Sequence, residues 1–380
     1  MRKVEHHLKL SGLWMVSAFL VFSCSFSAEA FTLISNGGKP AYWPGGNITY
    51  HFNSHSSGQF AGGHDASGTS TDEFAPIRAA FQTWQDLSGL NLNFTEAAMS
   101  GVAASSGDYQ NTISWVTTGW SSQSYRPPSN ALAVTLLSFN TASGAIIDAD
   151  IYFNAQNFSW SVVDTGGESG YIDVQNIATH EIGHLIGLDH SSEDMGETDL
   201  GLKAATMFYA AGYGETSRRT PHADDIDAVQ ALYGVSPASA PTITSVNYVG
   251  MTGQTIIYQV NGTNFNDRTA FILTKNNPAI SDAVARYKTI NSSTNATVKF
   301  DLTYLTDGGA AVLAFNTPSQ IANYSVELTG TGLGATSAGG GGGCVMSAES
   351  SFSPSFFVLF LALSVSILIL RSRKLRSPSH

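Results

Sequence analysis

Residues 180–190 read His-Glu-Ile-Gly-His-Leu-Ile-Gly-Leu-Asp-His, and this stretch restricts the possible folds more than any other. Residues four apart lie on one face of an α-helix, so His180 and His184 are predicted to point the same way. Gly187 can adopt the positive φ that ends a helix, after which the chain can bring His190 back toward the other two histidines. Three imidazole nitrogens with one position left open are the ligand set of a catalytic zinc ion.

Glu181 follows the first histidine directly, where it is placed to act as the general base that takes a proton from water. A His-Glu-x-x-His spacing alone also occurs on solvated helix faces, which is the alternative interpretation. The residues between and after the histidines are apolar and indicate a buried helix: Ile182, Leu185, Ile186 and Leu188. Asp173 is predicted to cap this helix at its N-terminus. The motif therefore predicts hydrolysis at a single zinc site.

The complete HExxHxxGxxH spacing resembles the signature of the metzincin zinc peptidases. Residues 205–209, Ala-Thr-Met-Phe-Tyr, resemble the methionine turn of that clan, and residues 224–234 resemble the last helix of matrixin (matrix-metalloproteinase-type) catalytic domains. The resemblance extends over about residues 31–235. It implies an α+β catalytic domain, with a mixed twisted sheet and three helices, that cleaves peptide bonds within extracellular proteins.

The same resemblance implies roles for four further residues. Met207 would lie beneath the histidines as an apolar floor and would not bind the metal. Tyr209 stands where astacins and serralysins carry a metal-reaching tyrosine, so it is a candidate fifth ligand or oxyanion donor, with ordinary wall packing as the alternative. Leu132 and Ala133, in a strand over residues 131–139, would offer backbone groups to which a substrate peptide adds as an extra strand.

One departure from the matrixins concerns metal binding outside the active site. Matrixins carry a structural zinc, and Tyr152 stands where one of its histidines is expected, so one zinc ion is predicted here. Asp148 and Asp150 are candidate calcium ligands. Two carboxylates supply few of the six to eight oxygens that calcium takes, so Ca²⁺ is only a possible second cofactor.

The rest of the N-terminal domain follows strand and helix periodicities. Pro76 stands in the first turn of a predicted helix whose apolar face is Phe74, Ile77, Phe81 and Trp84. Alternating or apolar runs predict five strands, at residues 47–53, 92–94, 112–116, 131–139 and 146–153.

Beyond a linker at residues 236–241, short strand-like runs with Gly and Asn turns predict an all-β, Ig-like sandwich over residues 242–333. Residues 241–246 and 260–265 resemble the opening of IPT/TIG domains. This region carries no titratable cluster, so it is predicted to be a spacer or an adhesion module.

The two ends of the chain predict export. Residues 1–30 have the basic start, apolar run and small-residue cleavage site of a signal peptide. A Gly-rich spacer with Cys344 (residues 334–355), a hydrophobic segment (356–370) and a basic cytoplasmic tail (371–380) resemble bacterial C-terminal sorting signals. Processing by a sorting protease is one possibility, and a plain membrane anchor is the other. Either predicts a secreted or surface-anchored, bacterial protein.

Composition limits the partners. The net charge is −11 with few charged residues, and much of the positive charge lies in the two ends, which excludes the basic surface that nucleic acid requires. Cys24 and Cys344 both lie outside the predicted domains, which therefore contain no disulfide. The predicted partners are protein or peptide substrates. The alternative function is that of a catalytically silent surface adhesin that binds through the sandwich.

Overall fold

The computed structural model describes residues 31–54, 72–101, 104–105, 107–163, 167–235, 239–275, 282–302, 305, 307–328, 341–348 and 364–365. The elements of the N-terminal domain, in chain order, are β1 Ser35–Asn36, β2 Lys39–Pro40, β3 Asn47–Phe52, α1 Ala75–Gln85, β4 Asn93–Glu96, β5 Asn111–Val116, β6 Ala131–Phe139, β7 Ile146–Asn154, β8 Trp160–Ser161, β9 Ile172–Asp173, α2 Val174–Leu185, α3 Leu200–Ala204, β10 Ala210–Ala211 and α4 Ala223–Tyr233.

The main sheet of this domain has the strand order β4-β3-β5-β7-β6. Its first four strands are parallel, and β6 joins β7 in the antiparallel sense. The mixed sheet is therefore confirmed, and all five predicted strands are present. The three predicted helices are α1, α2 and α4, and the five-residue α3 is an additional one.

Helix α1 packs against α2 through the face that the sequence predicted. Pro76 lies in its first turn, where a missing backbone N–H costs nothing, and Ile77, Phe81 and Trp84 are buried. The indole Nε1 of Trp84 donates to the carbonyl oxygen of Thr179, 2.8 Å away on α2. This buried hydrogen bond sets the position of α2 along α1.

Helix α2 begins and ends as its sequence indicates. The carboxylate of Asp173 accepts a hydrogen bond from the backbone N–H of Asn176, which makes it the N-cap. Gly187 has a φ of 99°, and a Cβ there would stand 2.1 Å from the carbonyl oxygen of Ala41. Two constraints therefore require glycine at this position: the left-handed backbone and the close approach of the N-terminal segment.

The second domain is the β-domain, residues 242–328. Its strands are β11 Thr242–Thr252, β12 Thr255–Thr263, β13 Ala270–Thr274, β14 Ala283–Ser292, β15 Asn295–Asp301, β16 Gly308–Phe315 and β17 Ile321–Leu328. They pair antiparallel in the order β11-β12-β15-β14-β13-β16-β17. The all-β content agrees with the sequence prediction, whereas the likeness to Ig and IPT/TIG domains stays a prediction.

Strand β14 was missed by the sequence analysis because charged residues interrupt its apolar pattern. Lys288 lies in its middle and is nevertheless only 6% exposed, since it points toward the N-terminal domain. A buried lysine breaks the alternation of apolar and polar residues by which strands are recognised.

The Gly-rich segment was predicted to be a spacer, and in the structure part of it forms a strand. Residues Gly341–Ala348 form strand β18, antiparallel to β6 and parallel to β10, and Ser364–Val365 (β19) pairs with β18. The free edge of β6 provides unpaired backbone groups, which explains why an added strand is bound there.

No helix in the described part of the chain is both long enough and apolar enough to cross a lipid bilayer. The predicted signal peptide, and the predicted hydrophobic segment and tail apart from residues 364–365, lie outside the described residues.

Candidate active site

The structure brings the three predicted histidines together. His180 and His184 lie one turn apart on α2 and are fully buried, and the loop after Gly187 returns His190 to them. The Nε2 atoms of His180 and His184 are 3.0 Å apart, and one ligand nitrogen from each of the three rings lies within 4.8 Å of the others. Separations of this size suit three ligands of a single ion.

Hydrogen bonds to backbone carbonyl groups determine which ring nitrogen of His180 and of His184 can bind a metal. Nδ1 of His180 lies 2.8 Å from the carbonyl oxygen of Thr206, and Nδ1 of His184 lies 2.8 Å from that of Leu188. A carbonyl only accepts, so each Nδ1 carries the proton and each Nε2 keeps its lone pair for a metal. Nε2 of His190 is buried without a hydrogen-bond partner. These three nitrogens fit one zinc ion.

Burial keeps the helix histidines uncharged. It lowers the pKa of His180 and of His184 well below the usual range, and the neighbouring rings lower it further. Neutral imidazole is the form that binds metals, so the ligand set needs little proton release before it can bind.

Glu181 lies on α2 beside these rings, fully buried. The hydroxyl of Thr135, on β6, lies 2.6 Å from its Oε2 and 3.1 Å from its backbone oxygen, whereas Oε1 has no hydrogen-bond partner. Burial raises the pKa of Glu181 to about 8, and the Thr135 hydroxyl opposes this rise. One carboxylate oxygen is thus anchored, and the other is available for a reactant.

Met207 packs against α2 where Gly183 has no side chain. A Cβ on Gly183 would stand 2.3 Å from the sulfur of Met207, so glycine is required for this contact. The turn itself is held by Asp225 of α4, whose carboxylate accepts from the N–H groups of Thr206 (2.8 Å) and Met207 (3.0 Å). The Thr206 carbonyl in turn orients His180, so α4 is connected to a ligand through two hydrogen bonds.

Tyr209 lies next to the site. Its ring centroid is 6.3 Å from that of His190, and the side chain is half-buried. This position agrees both with a role toward the metal and with wall packing, so its catalytic role stays a prediction.

Leu132 and Ala133 lie in β6 with buried side chains, and their backbone runs along the edge that was predicted to bind substrate. In the structure β18 occupies this edge: Met346 is the register partner of Ala133, and Cys344 is that of Thr135. The edge of β6 therefore accepts an added strand, β18, beside Glu181.

Arg218 and Arg219 organise the segment after the methionine turn, and the sequence did not single them out. Arg218 is buried and donates to the carbonyl oxygens of Phe208 and Ala210. Arg219 binds the N-cap Asp173 with two nitrogens, at 2.9 and 2.5 Å. No local pattern reveals these contacts, because each joins residues from different elements.

The predicted calcium ligands lie away from the histidines, on β7. Asp148 Oδ2 accepts from the N–H of Gly107 and Asp150 Oδ1 from that of Thr112. Burial raises the pKa of Asp148 to about 6 and that of Asp150 to about 8. Within the described ranges, the three histidines are the one group of three or more potential ligands close enough to share a metal, so Ca²⁺ binding stays a prediction.

A buried helix carries two of the three converging histidines and the carboxylate, and an antiparallel edge strand lies alongside it. This arrangement is the one expected of the HExxHxxGxxH zinc-binding motif. The sequence model of the Matrixin family matches residues 43–234, about half of the chain. The chain belongs to the matrixin family.

Individual relatives match shorter segments. The chain is 37% identical over 90 residues to "Metalloendoproteinase 1" of Glycine max, covering 24% of this chain and 25% of the relative. It is 33% identical over 93 residues to "Neutrophil collagenase" of Homo sapiens, covering 24% and 17%. It is 25% identical over 162 residues to "Metalloendoproteinase 2-MMP" of Arabidopsis thaliana, covering 42% and 36%. The chain thus spans no more than 36% of the length of these three relatives.

Proposed function

We propose that this protein is an endopeptidase that hydrolyses peptide bonds in extracellular proteins, with His180, His184 and His190 holding one catalytic zinc ion. The observation that carries the proposal is the convergence of three buried imidazoles beside a buried carboxylate. Nδ1 of His180 and of His184 is hydrogen-bonded to a backbone carbonyl, and Nε2 of His190 has no hydrogen-bond partner. When bound, zinc supplies Lewis acidity, which polarises a carbonyl group and makes water acidic near neutral pH.

Glu181 is the proposed general base. Its Oε1 has no hydrogen-bond partner, so it can accept a proton from the attacking water, and the same carboxyl group can pass that proton to the leaving amine nitrogen. The Thr135 hydroxyl holds Oε2, which prevents the carboxylate from rotating away. Burial raises the pKa of the Glu181 carboxyl, so its ionised form is a stronger base toward water, and the charge of a bound zinc ion would favour that ionised form.

The proposed substrate-binding surface is the edge of β6, including the backbone of Leu132 and Ala133, together with β10. The pairing of β18 with both strands supports it, because a peptide backbone in extended form fits between them. Backbone pairing supplies affinity without demanding particular side chains. A strand that enters and leaves such an edge has residues on both sides of the reacting bond, which suits an endopeptidase.

The remaining predicted residues have supporting roles in the proposal. Met207 is the apolar floor of the histidine site, and Gly187 provides the backbone turn that returns His190. Tyr209 is the candidate that stabilises the developing oxyanion, as its position beside His190 allows.

The proposed enzyme acts outside the cell. The support is the signal-like pattern of residues 1–30 and the sorting-like pattern of residues 334–380. Mass spectrometry of the mature protein, recovered from the medium and from the cell surface, tests both ends. A mature N-terminus at Phe31 is expected, and recovery of the uncleaved chain from the cytosol would contradict export.

The test of activity compares wild type with Glu181→Gln, and Glu327→Gln in the β-domain serves as a matched control. All three are expected to bind one zinc ion per chain, and only Glu181→Gln is expected to lose cleavage of an unfolded protein substrate. Zinc bound with no cleavage by wild type would refute the enzyme and favour a catalytically silent adhesin. Equal activity in wild type and Glu181→Gln would refute the role of the carboxylate.

A further inference from the structure

The first five described residues form a strap across the metal-binding loop. We define the strap as residues 31–35. Its backbone pairs with residues 187–190: Ile34 N–H donates to the Gly187 oxygen (2.9 Å), and the Asp189 N–H donates to the oxygen of Thr32 (3.0 Å). The Thr32 hydroxyl also donates to the backbone oxygen of His190. The strap therefore holds the loop that carries the third histidine.

The strap is in turn held by the β-domain. The amine of Lys288, on β14, lies 3.9 Å from the centroid of the Phe31 ring. Asp282, just before β14, accepts from the Ser35 hydroxyl (3.0 Å) and from the N–H of Gly38 (2.7 Å). The buried Lys288 and the partly buried Asp282 thus contact the two ends of the strap.

The strap also contributes side chains to one continuous apolar core. Phe31 and Leu33 of the strap share it with side chains of α2 and with four residues of the β-domain: Ala270, Ile272, Leu313 and Phe315. The N-terminal segment and the β-domain lie close together at Gly38, where a Cβ would stand 2.5 Å from a methyl group of Leu313. The β-domain and the N-terminal domain therefore share one core, to which the strap belongs.

Hydrogen bonds hold the Lys288 amine in place over the Phe31 ring. Its amine donates to the carbonyl oxygens of Asp267 (2.5 Å) and Thr269 (3.3 Å), which hold it in one place. Burial lowers its pKa to about 8, and the facing carboxylates of Asp227, Asp224 and Asp267 oppose this. The amine is thus mostly protonated at neutral pH, when a cation over the face of an aromatic ring is attracted to it.

We propose that the β-domain is a positioning module of the metal site, in which Lys288 and Asp282 clamp the strap and the strap orders residues 187–190. Lys288 and Asp282 are positioning residues, because they act on His190 only through the strap. This inference rests on the proposed zinc site, and it does not require that the protein cleave peptides.

The experiment compares full-length wild type with Lys288→Met and Ser35→Ala. Methionine keeps a long apolar side chain over Phe31 and removes the charge, and Ser35→Ala removes one hydrogen bond to Asp282. Lys275→Met is the matched control, because Lys275 also lies in the β-domain and donates to a backbone carbonyl, that of Asp307. Two quantities are measured: hydrogen exchange of the metal-free protein at residues 187–190, and the zinc dissociation constant by chelator competition.

Lys288→Met is expected to speed exchange at the Asp189 amide and to weaken zinc binding about tenfold, the lower end for residues that support metal ligands. Ser35→Ala is expected to change both quantities in the same direction by a smaller factor, and Lys275→Met neither. If Lys288→Met does not fold, Ser35→Ala carries the test, since its side chain is only partly buried. Exchange and zinc affinity equal to those of Lys275→Met in every folded variant would overturn the proposal.

Glu181→Gln separates this proposal from the proposed function. In that inactive background, Lys288→Met is expected to have the same effects on exchange and on zinc affinity. Failure of the wild-type protein to cleave peptides, with these effects of Lys288→Met intact, would refute the enzyme and leave the positioning module standing.

Discussion

Replacement of Thr135 by valine tests whether the hydroxyl on β6 holds Glu181, the proposed general base. Valine has nearly the same shape, so the change removes the 2.6 Å hydrogen bond to Glu181 Oε2 and leaves a buried carboxylate oxygen without a partner. A hydrogen bond to a charged group contributes about 1.5–3 kcal/mol. Since each 1.4 kcal/mol corresponds to a factor of ten, kcat/KM is expected to fall about 10- to 150-fold.

The assay is steady-state cleavage of a fluorogenic peptide, with zinc content and the unfolding midpoint measured on the same samples. Thr112→Val is the matched control, because Thr112 is a buried threonine of the same sheet whose hydroxyl donates to the Gln110 backbone oxygen, away from the site. It is expected to retain wild-type kcat/KM. The reasoning would be refuted if Thr135→Val with full zinc content kept wild-type activity, or if both variants lost activity equally.

Three other perturbations probe the supports of the site. Arg219→Met removes the ion-pair partner of the buried Asp173 and is expected to cost about 3–5 kcal/mol in urea unfolding. The more exposed ion pairs of Arg78 predict at most about 1 kcal/mol for Arg78→Met. Equal losses in the two variants would contradict this reasoning. Gly183→Ala places a methyl group against Met207 and is expected to lower the free energy of unfolding by about 1–3 kcal/mol and to reduce zinc affinity. An unchanged unfolding midpoint would show that the methionine turn can shift to make room for the methyl group. A chain that ends at residue 333 lacks β18, which pairs with the edge of β6. It is therefore expected to cleave peptides with a lower KM than the full-length chain. Identical KM values would show that β18 does not compete with substrate.

Thr135 also illustrates what a sequence pattern cannot show. It lies 46 positions before Glu181, and its role depends on β6 crossing beside α2. Nothing in an alternating strand marks one threonine as the partner of the Glu181 carboxylate. Asp225 is a similar case, because an acidic residue near a helix N-terminus is a common cap, and only the fold brings it to the methionine turn.

The β-domain shows a second limit of local sequence patterns. Lys288 broke the strand pattern and concealed β14, so the element that grips the N-terminal strap was absent from the sequence prediction. Without that strand, nothing indicated that the two domains share a core. A buried lysine is costly unless its surroundings compensate for lost hydration, and such compensation exists only in the assembled structure.

The sequence by itself determined the metal chemistry, because the spacing of His180, Glu181 and His184 on a helix, followed by a glycine turn, is a local matter of backbone geometry. Tertiary structure decided everything that depends on distant contacts. It brought Thr135 to the Glu181 carboxylate, joined the β-domain to the strap over the His190 loop, and placed the segment Gly341–Ala348 along the edge of β6. The physical reason is that these contacts join surfaces far apart in the chain, and local propensities carry no information about which surfaces will meet.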